Sequence, residues 1–415
     1  MSFASLGLID QILATLDTLA YHTPTAVQQQ AIPAVLAGKD VMAAAQTGTG
    51  KTAGFTLPLL QRLVKSSGKV SSNAVRALIL VPTRELAEQV HESVRTYSQG
   101  LELRSLAAYG GVSINPQMMA LRKGIDVLVA TPGRLLDLHR QNAVRFNEVK
   151  VLVLDEADRM LDLGFSKELD QLFAVLPKKR QTLLFSATFS DQIRAMANRL
   201  LREPVRIEAT PRNTTVSAVK QWLVPVDKKR KPELFVHLLK KHAWPQVLAF
   251  AKTRKGVDEL VGLLQAKRID ADSIHGDKPQ PARLRALERF KAGEVKVLVA
   301  TDVAARGLDI EELPAVVNVD LPIVAEDYVH RTGRTGRAGA SGEAVSLVCA
   351  DEIDQLAAIE ALIRQVIKRE VEGGFAPDHR VPETAPGGQI VKKPKKPKKP
   401  KGDSPVVTED VRFRR

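Results

Sequence analysis

Residues 41–52, VMAAAQTGTGKT, pass from a short apolar strand through a Gly-rich loop to Lys51 and Thr52 at the mouth of a helix. Gly48 and Gly50 lack a Cβ. The loop Ala45, Gln46, Thr47, Gly48, Thr49, Gly50 can therefore fold its backbone N–H groups inward around a phosphate, and the helix N-terminus adds partial positive charge. In such a cradle Lys51 reaches the β- and γ-phosphates as a point charge, and the Thr52 hydroxyl ligates a magnesium ion. The usual pattern begins with Gly, and here Ala45 takes that place. The competing reading is an ordinary glycine turn before Lys-Thr, and a partner motif decides between them.

That partner stands about a hundred residues on, at the end of VLVLDEAD (151–158). A carboxylate leaving a buried strand beside a phosphate loop is where a phosphoryl-transfer site keeps its magnesium-coordinating acid, here Asp155. Glu156, one residue further, can point at an attacking water and act as general base. A lone Asp-Glu pair would be read as a solvated turn or a helix N-cap. Its position after the phosphate loop argues for chemistry.

Around these motifs, apolar runs of buried-strand type (77–81, 125–130, 151–155, 182–187) alternate with helical stretches such as 85–97 and 191–201. Alternation of this kind predicts an α/β fold, a mainly parallel sheet flanked by helices, with ligands at the carboxyl ends of the strands. Residues 209–216, ATPRNTTV, break the pattern and predict a linker between a first domain (1–208) and a second (217–370). Strand and helix signals restart at 220 without a second phosphate loop. The second half carries HRTGRTGR (330–337) instead. Three arginines, His330 and two glycines are either a solvated charged face or a cluster that closes onto a γ-phosphate from across a cleft.

With 415 residues and 44% hydrophobic content the chain can bury two cores. One cysteine, Cys349, excludes an internal disulfide and a thiolate metal cluster, which suits a reducing cytoplasm. The segment MSFASLGLIDQ has no basic n-region, and no apolar run approaches the ~18 residues of a membrane span, so a cytoplasmic protein is expected. A net charge of +14 points to a polyanionic partner, and the 4% of aromatic residues to contacts with sugar and phosphate rather than stacked bases. From Val371 the composition turns to Gly, Pro and Lys, culminating in KKPKKPKKPK (392–401). Spaced prolines forbid a helix, and residues 371–415 read as a disordered basic arm. With 11 Lys and Arg against 6 Asp and Glu, the arm holds only +5 of the net charge, so the folded body is basic too.

YHTPTAVQ, AQTGTGKT, PTREL, GG, TPGR, DEAD, SAT, VLAFAKTR, ATDVAARGLDI and HRTGRTGR follow one another in this order. Over residues 1 to about 370 the chain thereby resembles the DEAD-box ATP-dependent RNA helicases, and its tail resembles the basic extensions of some bacterial members. The resemblance implies two tandem RecA-like domains, ATP and Mg2+ as cofactors, RNA as partner, and an RNA-dependent ATPase that closes on RNA to unwind short duplexes or remodel RNA-protein complexes. It also implies roles. Phe3 would stack on adenine, Gln28 read its edge and Asp309 touch the ribose. Lys51, Asp155, Glu156, Arg334 and Arg337 would carry the catalysis, with Thr52 and Asp155 on the metal. RNA-backbone contacts would come from Arg84, Gly111, Thr131 and Arg134 in the first domain, and from Arg254, Gly276, Arg283 and Thr301 in the second. Asp158, Ser186 and Thr188 would couple hydrolysis to strand separation. Ala20 stands where the family often has Gly, and Thr332 where it commonly has Ile. Ribosome-assembly and RNA-degradation partners stay open. Two other readings are an ATP-dependent RNA clamp without turnover, against which Glu156, Arg334 and Arg337 argue, and a DNA-translocating helicase, against which DEAD, Gln28 and SAT argue.

Overall fold

The computed structural model describes residues 2–44, 49–66, 68–208, 219–305, 310, 313–336 and 342–391. Ala45, Gln46, Thr47, Gly48, Asp309 and Arg337, the expected linker and the Lys/Pro run lie outside them.

The first half builds one parallel sheet from β1 (Val41–Ala44), β2 (Val75–Leu80), β3 (Ser105–Ala108), β4 (Ile125–Ala130), β5 (Val151–Leu154), β6 (Gln181–Ser186) and β7 (Val205–Glu208), in the order β3-β4-β2-β5-β6-β1-β7. The central strands are apolar at consecutive positions because both faces are covered. Ala77, Ile79, Val127, Val129, Val151, Val153, Leu183 and Phe185 pack in one core, while Leu78, Leu80, Leu128, Leu152, Leu154 and Leu184 pack in the other. Fully burying each Val or Leu contributes about 1.5–3 kcal/mol.

The second half repeats the architecture with β8 (Lys220–Pro225), β9 (Val247–Phe250), β10 (Ala271–Ile274), β11 (Val297–Ala300), β12 (Ala315–Asn318), β13 (Glu343–Val348) and β14 (Lys368–Arg369), ordered β10-β11-β9-β12-β13-β8-β14. Position for position this is the order of the first sheet. Both sheets are parallel throughout their registers. Edge strands β3, β7 and β10, reading SLAA, VRIE and ADSI, are missing from the sequence reading. They are short and mix in polar residues, since an edge is only partly covered. Among the described residues no helix is long and apolar enough to cross a membrane.

The expected start of the disordered arm at Val371 needs correction, because residues 371–391 pack on the second domain. Glu372 lies 2.7 Å from Lys241 Nζ and 2.9 Å from His237 Nε2, and the Arg230 guanidinium stacks 4.8 Å over the Phe375 ring. The Asp227 carboxylate accepts the Asp378 N–H at 2.8 Å. Val381 is buried with Leu223, Leu356 and Ile359, and a small hairpin (Thr384–Ala385 with Gln389–Ile390) follows. Composition suggests disorder here, but one buried valine, one half-buried phenylalanine and these ion pairs offset the ordering entropy of a short strap.

Candidate active site

The helix Lys51–Lys65 starts from the carboxyl end of β1, with Gly50 as its N-cap at φ 78°. A Cβ on Gly50 would stand 2.3 Å from Gln28 Nε2, so glycine is needed there for space as well as for backbone conformation. Gln28 opens the helix Ala26–Leu36 in a capping box: its Oε1 accepts the Thr25 N–H at 2.9 Å, and its Nε2 donates to the Gly50 carbonyl at 3.0 Å. Thr25 Oγ1 donates to the Thr49 carbonyl at 2.7 Å. Thus the YHTPTAVQ segment clamps the last turn of the phosphate loop. Ala20, which precedes it, sits at φ 56°, in the left-handed region where glycine is unstrained.

Phe3, Gln28, Gly50, Lys51, Thr52 and Glu156 line one cavity of about 590 Å³, within the size range of small-molecule sites. Lys51 Nζ stands 2.9 Å from Asp155 Oδ1 and 3.6 Å from Glu156 Oε1. Burial works to lower the Lys51 pKa, but Asp155 and Glu156 outweigh it and the ammonium is held above its ordinary value. Burial raises the Asp155 carboxyl. Apart from the Lys51 pair, its oxygens complete no well-aligned hydrogen bond among the described residues. Glu156 behaves in the opposite way. Burial works to raise it, yet Lys51, Arg159 and Arg334 together hold it well below the usual carboxylate range. Its backbone is left-handed at φ 53°, ψ 52°, a conformation that costs a non-glycine residue of order 1–3 kcal/mol and turns its side chain into the cavity mouth between β5 and the helix Ala157–Asp162.

Arg334, in the second half of the chain, is buried and bears electrostatically on Glu156. Its neighbour Arg331 does not. That guanidinium pairs with Asp302 at 2.6 Å, donates to Asn318 Oδ1 at 2.8 Å and stacks 4.6 Å over the Phe250 ring, all inside the second domain. Asp158, Ser186 and Thr188 come together: Asp158 Oδ2 accepts the Thr188 N–H at 2.9 Å and its hydroxyl at 3.1 Å, and Ser186 Oγ donates to the Thr188 carbonyl at 2.7 Å. His330, half-buried, lies in the field of Asp158, and partial burial lowers its pKa.

The other predicted residues lie in two groups, one per half. A Cβ on Gly111, whose φ is 80°, would stand 1.9 Å from Arg84 Nη1, so the glycine lets that guanidinium lie on the backbone. Arg134 donates to the Val112 carbonyl at 2.9 Å and to Gln117 Oε1 at 3.0 Å, and Thr131 is the N-cap of its helix, Pro132–Arg140. In the second half Gly276 lies beside the Arg254 guanidinium, and Thr301 follows β11. Arg283 does more than the sequence suggests. Its Nη2 stands 2.9 Å from Glu85 Oε1, and Gln280 Nε2 donates to the same oxygen at 2.9 Å. Glu85 and Arg159 are the residues missed. Glu85 sits inside PTREL, but only its partners some 195 positions away reveal what it holds.

Residues 25–196 match the DEAD/DEAH box helicase family and residues 230–339 the helicase conserved C-terminal domain. The DEAD-box ATP-dependent RNA helicase CshA of Geobacillus kaustophilus is 41% identical over 368 residues, covering 89% of this chain and 78% of the relative. S. cerevisiae Dbp5 bound to RNA and ADP BeF3 superposes with a TM-score of 0.78 at 32% identity, over 89% of this chain and 95% of that one. A DEAD box protein from the hyperthermophile Methanococcus jannaschii has higher identity, 35% over 89% and 99% of the two chains, but a TM-score of 0.53. Two recognised domains in order, one of them holding the phosphate loop and the other the arginines, and similarity along nine-tenths of its length establish that the chain belongs to the DEAD-box ATP-dependent RNA helicases.

Proposed function

We propose a division of labour among this chain's residues in the ATP-dependent remodelling of RNA. It rests above all on one observation: Lys51 stands 3.6 Å from Glu156 in the first half, and the charge of buried Arg334 in the second half acts on the same carboxylate. Phe3 packs against the adenine. Gln28 reads the purine edge with the one N–H and the one lone pair that Thr25 and Gly50 leave it. Lys51 exchanges its carboxylate partners for the β- and γ-phosphates. Glu156 is ionised at neutral pH, orients the attacking water and accepts its proton. Arg334, with Arg337, stabilises the charge developing on the γ-phosphate, and Asp309 holds the ribose.

The residues present also fit a magnesium ion. Asp155, paired with Lys51 of the cavity lining, offers buried oxygens with lone pairs to spare and Thr52 a hydroxyl on the cavity wall, and among the described residues no cluster of three His, Cys, Asp or Glu competes as a protein cage. Magnesium favours such a set, one or two protein oxygens completed by phosphates and water. When bound, the ion neutralises charge on the β- and γ-phosphates. The single cysteine, Cys349, supports work in the reducing cytoplasm.

RNA lies along Arg84, Gly111, Thr131 and Arg134 on one half and Arg254, Gly276, Arg283 and Thr301 on the other. Because each ligand spans both halves, each favours the closed form and tightens the other by linkage. A closed cleft that bends one strand is incompatible with a continuous duplex, so a short helix comes apart there. Asp158, Ser186 and Thr188 pass the state of the ATP site to that cleft, and phosphate release reopens it. The test is the ATPase rate of the full chain with and without a panel of RNAs and DNAs. Equal stimulation by DNA, or none by RNA, would overturn the reading.

Glu85→Gln keeps the shape of the side chain that meets Gln280 and Arg283 across the two halves but removes its charge. Hydrogen bonds to charged groups contribute about 1.5–3 kcal/mol, so the RNA concentration for half-maximal ATPase stimulation is expected to rise roughly tenfold to a hundredfold. A titration of ATPase rate against RNA checks this. The tail yields a second expectation. Truncation after Val391 is expected to flatten the salt dependence of RNA binding, each lost phosphate contact on a single strand removing about 0.7 from the slope of log K against log salt. Turnover at saturating RNA stays intact. Truncation after Glu370 removes Val381 and Phe375 as well, so thermal unfolding should show a lower midpoint for that variant alone.

A further inference from the structure

A second concavity lies on the first domain, away from the nucleotide cavity. It is bordered by the helix Ser166–Val175, the loop ahead of β6, and the end of the helix Asp191–Leu200. Its volume is about 400 Å³, enough for a nucleotide-sized molecule. It sits at the amino end of β6, whereas Ser186 is at the carboxyl end, about 17 Å away at the rise of a strand. None of its lining residues has a role in the cycle described above.

Four cations meet there, Lys178, Arg180, Arg199 and Arg202, with one carboxylate in the lining, Asp170, which lies 2.6 Å from Arg199, and a second, Asp40, buried behind Thr182 and Arg202. Arg180 donates Nη1 to the Pro177 carbonyl at 2.6 Å, but its Nε is buried and meets no acceptor among the described residues. Arg202 donates Nη2 to the Lys178 carbonyl at 2.7 Å, and its backbone is pinned by Asp40, which also holds the start of β6 at Thr182. Burial lowers the Arg180 pKa; the Asp40 carboxylate works against it and the like charge of Arg202 with it. Arginines held together by the backbone, with a buried donor unmet, gain from an anion that accepts from several N–H groups at once. The remaining wall is apolar, with Phe173, Ala174, Leu200 and Leu201, which offers a surface to a base or sugar as well as to a bare ion.

We propose that this cleft binds the phosphate of a nucleotide, with Arg180 and Arg202 as its principal donors and Phe173 beside the organic part. The phosphate belongs either to a free nucleotide or to the 5′ end of an RNA, and the experiment separates the two. The full chain is first saturated with magnesium and a non-hydrolysable ATP analogue, so that the phosphate loop is filled. It is then titrated in one arm with uridine diphosphate, and in the other with a short RNA carrying either a 5′-phosphate or a 5′-hydroxyl. One equivalent of uridine diphosphate is expected to bind, or the 5′-phosphate to strengthen RNA binding. Whichever occurs is expected to weaken at least about tenfold in the double variant Arg180→Gln, Arg202→Gln. It should be unchanged in Arg289→Gln, an exposed arginine of the second domain. Basal ATPase of the double variant stays near that of the parent and reports that it is folded. If it is not folded, Lys178→Gln with Arg199→Gln, both exposed, replaces it in the same titrations. Dependence on the cleft residues in the first arm assigns the site to free nucleotides, and in the second to RNA ends. Binding that ignores these substitutions in both arms, or no binding in either, overturns the proposal and leaves the four cations as a solvated surface.

Discussion

Glu156→Gln is expected to lower steady-state ATP turnover by roughly a hundredfold to ten-thousandfold, the usual contribution of a positioned general base, while ATP still binds. The amide keeps the shape of the carboxylate and can still orient a water, but it cannot take up a proton. The surroundings of Glu156 sharpen this expectation. Lys51, Arg159 and Arg334 hold it ionised, so the wild-type group is an acceptor throughout the neutral range, and the variant also removes a negative charge from among three cations. Affinity for the triphosphate is therefore expected to be retained or increased. Hydrolysis measured beside nucleotide binding checks both halves, and near-normal turnover would remove Glu156 from its role. The strained backbone at this residue is a constraint on the choice of variant: Gln is preferred to Gly, which would relax the left-handed turn as well as delete the carboxylate.

Arg334→Ala is expected to cost about a thousandfold or more in kcat, the scale of an arginine supplied to a phosphoryl-transfer site from outside the phosphate loop. ATP binding in the absence of RNA should change little, because the phosphate loop, Phe3 and Gln28 all belong to the first half. Removing this guanidinium also lifts one of the influences that keep the Glu156 pKa low, so the pH dependence of the remaining activity is expected to move upward on its acid limb. Arg331→Ala serves as the contrast. It breaks the pairs with Asp302 and Asn318 and the stacking on Phe250, so it is expected to destabilise the second domain in thermal unfolding. Full activity in Arg334→Ala would mean that the cluster does not act on the phosphate.

The two arginines show where reading the chain stops. In HRTGRTGR they are three residues apart and chemically identical, and nothing local separates a guanidinium that holds its own domain together from one that reaches across a cleft. The family resemblance names Arg334 and Arg337, and packing supplies the physical reason: Asp302, Asn318 and Phe250 surround Arg331, while the charge of Arg334 acts on Glu156. Glu85 makes the same point at longer range, its partners Gln280 and Arg283 lying in the other half of the chain. The strap after Glu370 reads as disordered because Gly and Pro dominate its composition, and its order depends on Val381 and Glu372 finding partners on distant helices.

What sequence alone determined is the chemistry whose parts are contiguous. A phosphate loop, a carboxylate at a strand end and a glycine at a tight turn need only a few neighbouring residues to state their geometry, because the backbone N–H groups and side chains involved lie within one turn or strand end of one another. The alternating apolar runs likewise declared two parallel sheets, since a strand covered on both faces is apolar over most of its length. Tertiary structure decided what depends on juxtaposition: the contact of one half with the other through Glu85, the left-handed turn at Glu156, the partners that hold Arg331 inside its own domain and the basic cleft around Arg180. Charge, burial and shape at those places are sums over residues far apart in the chain, and they come into being only when the folded sheets bring those residues to within a few ångströms.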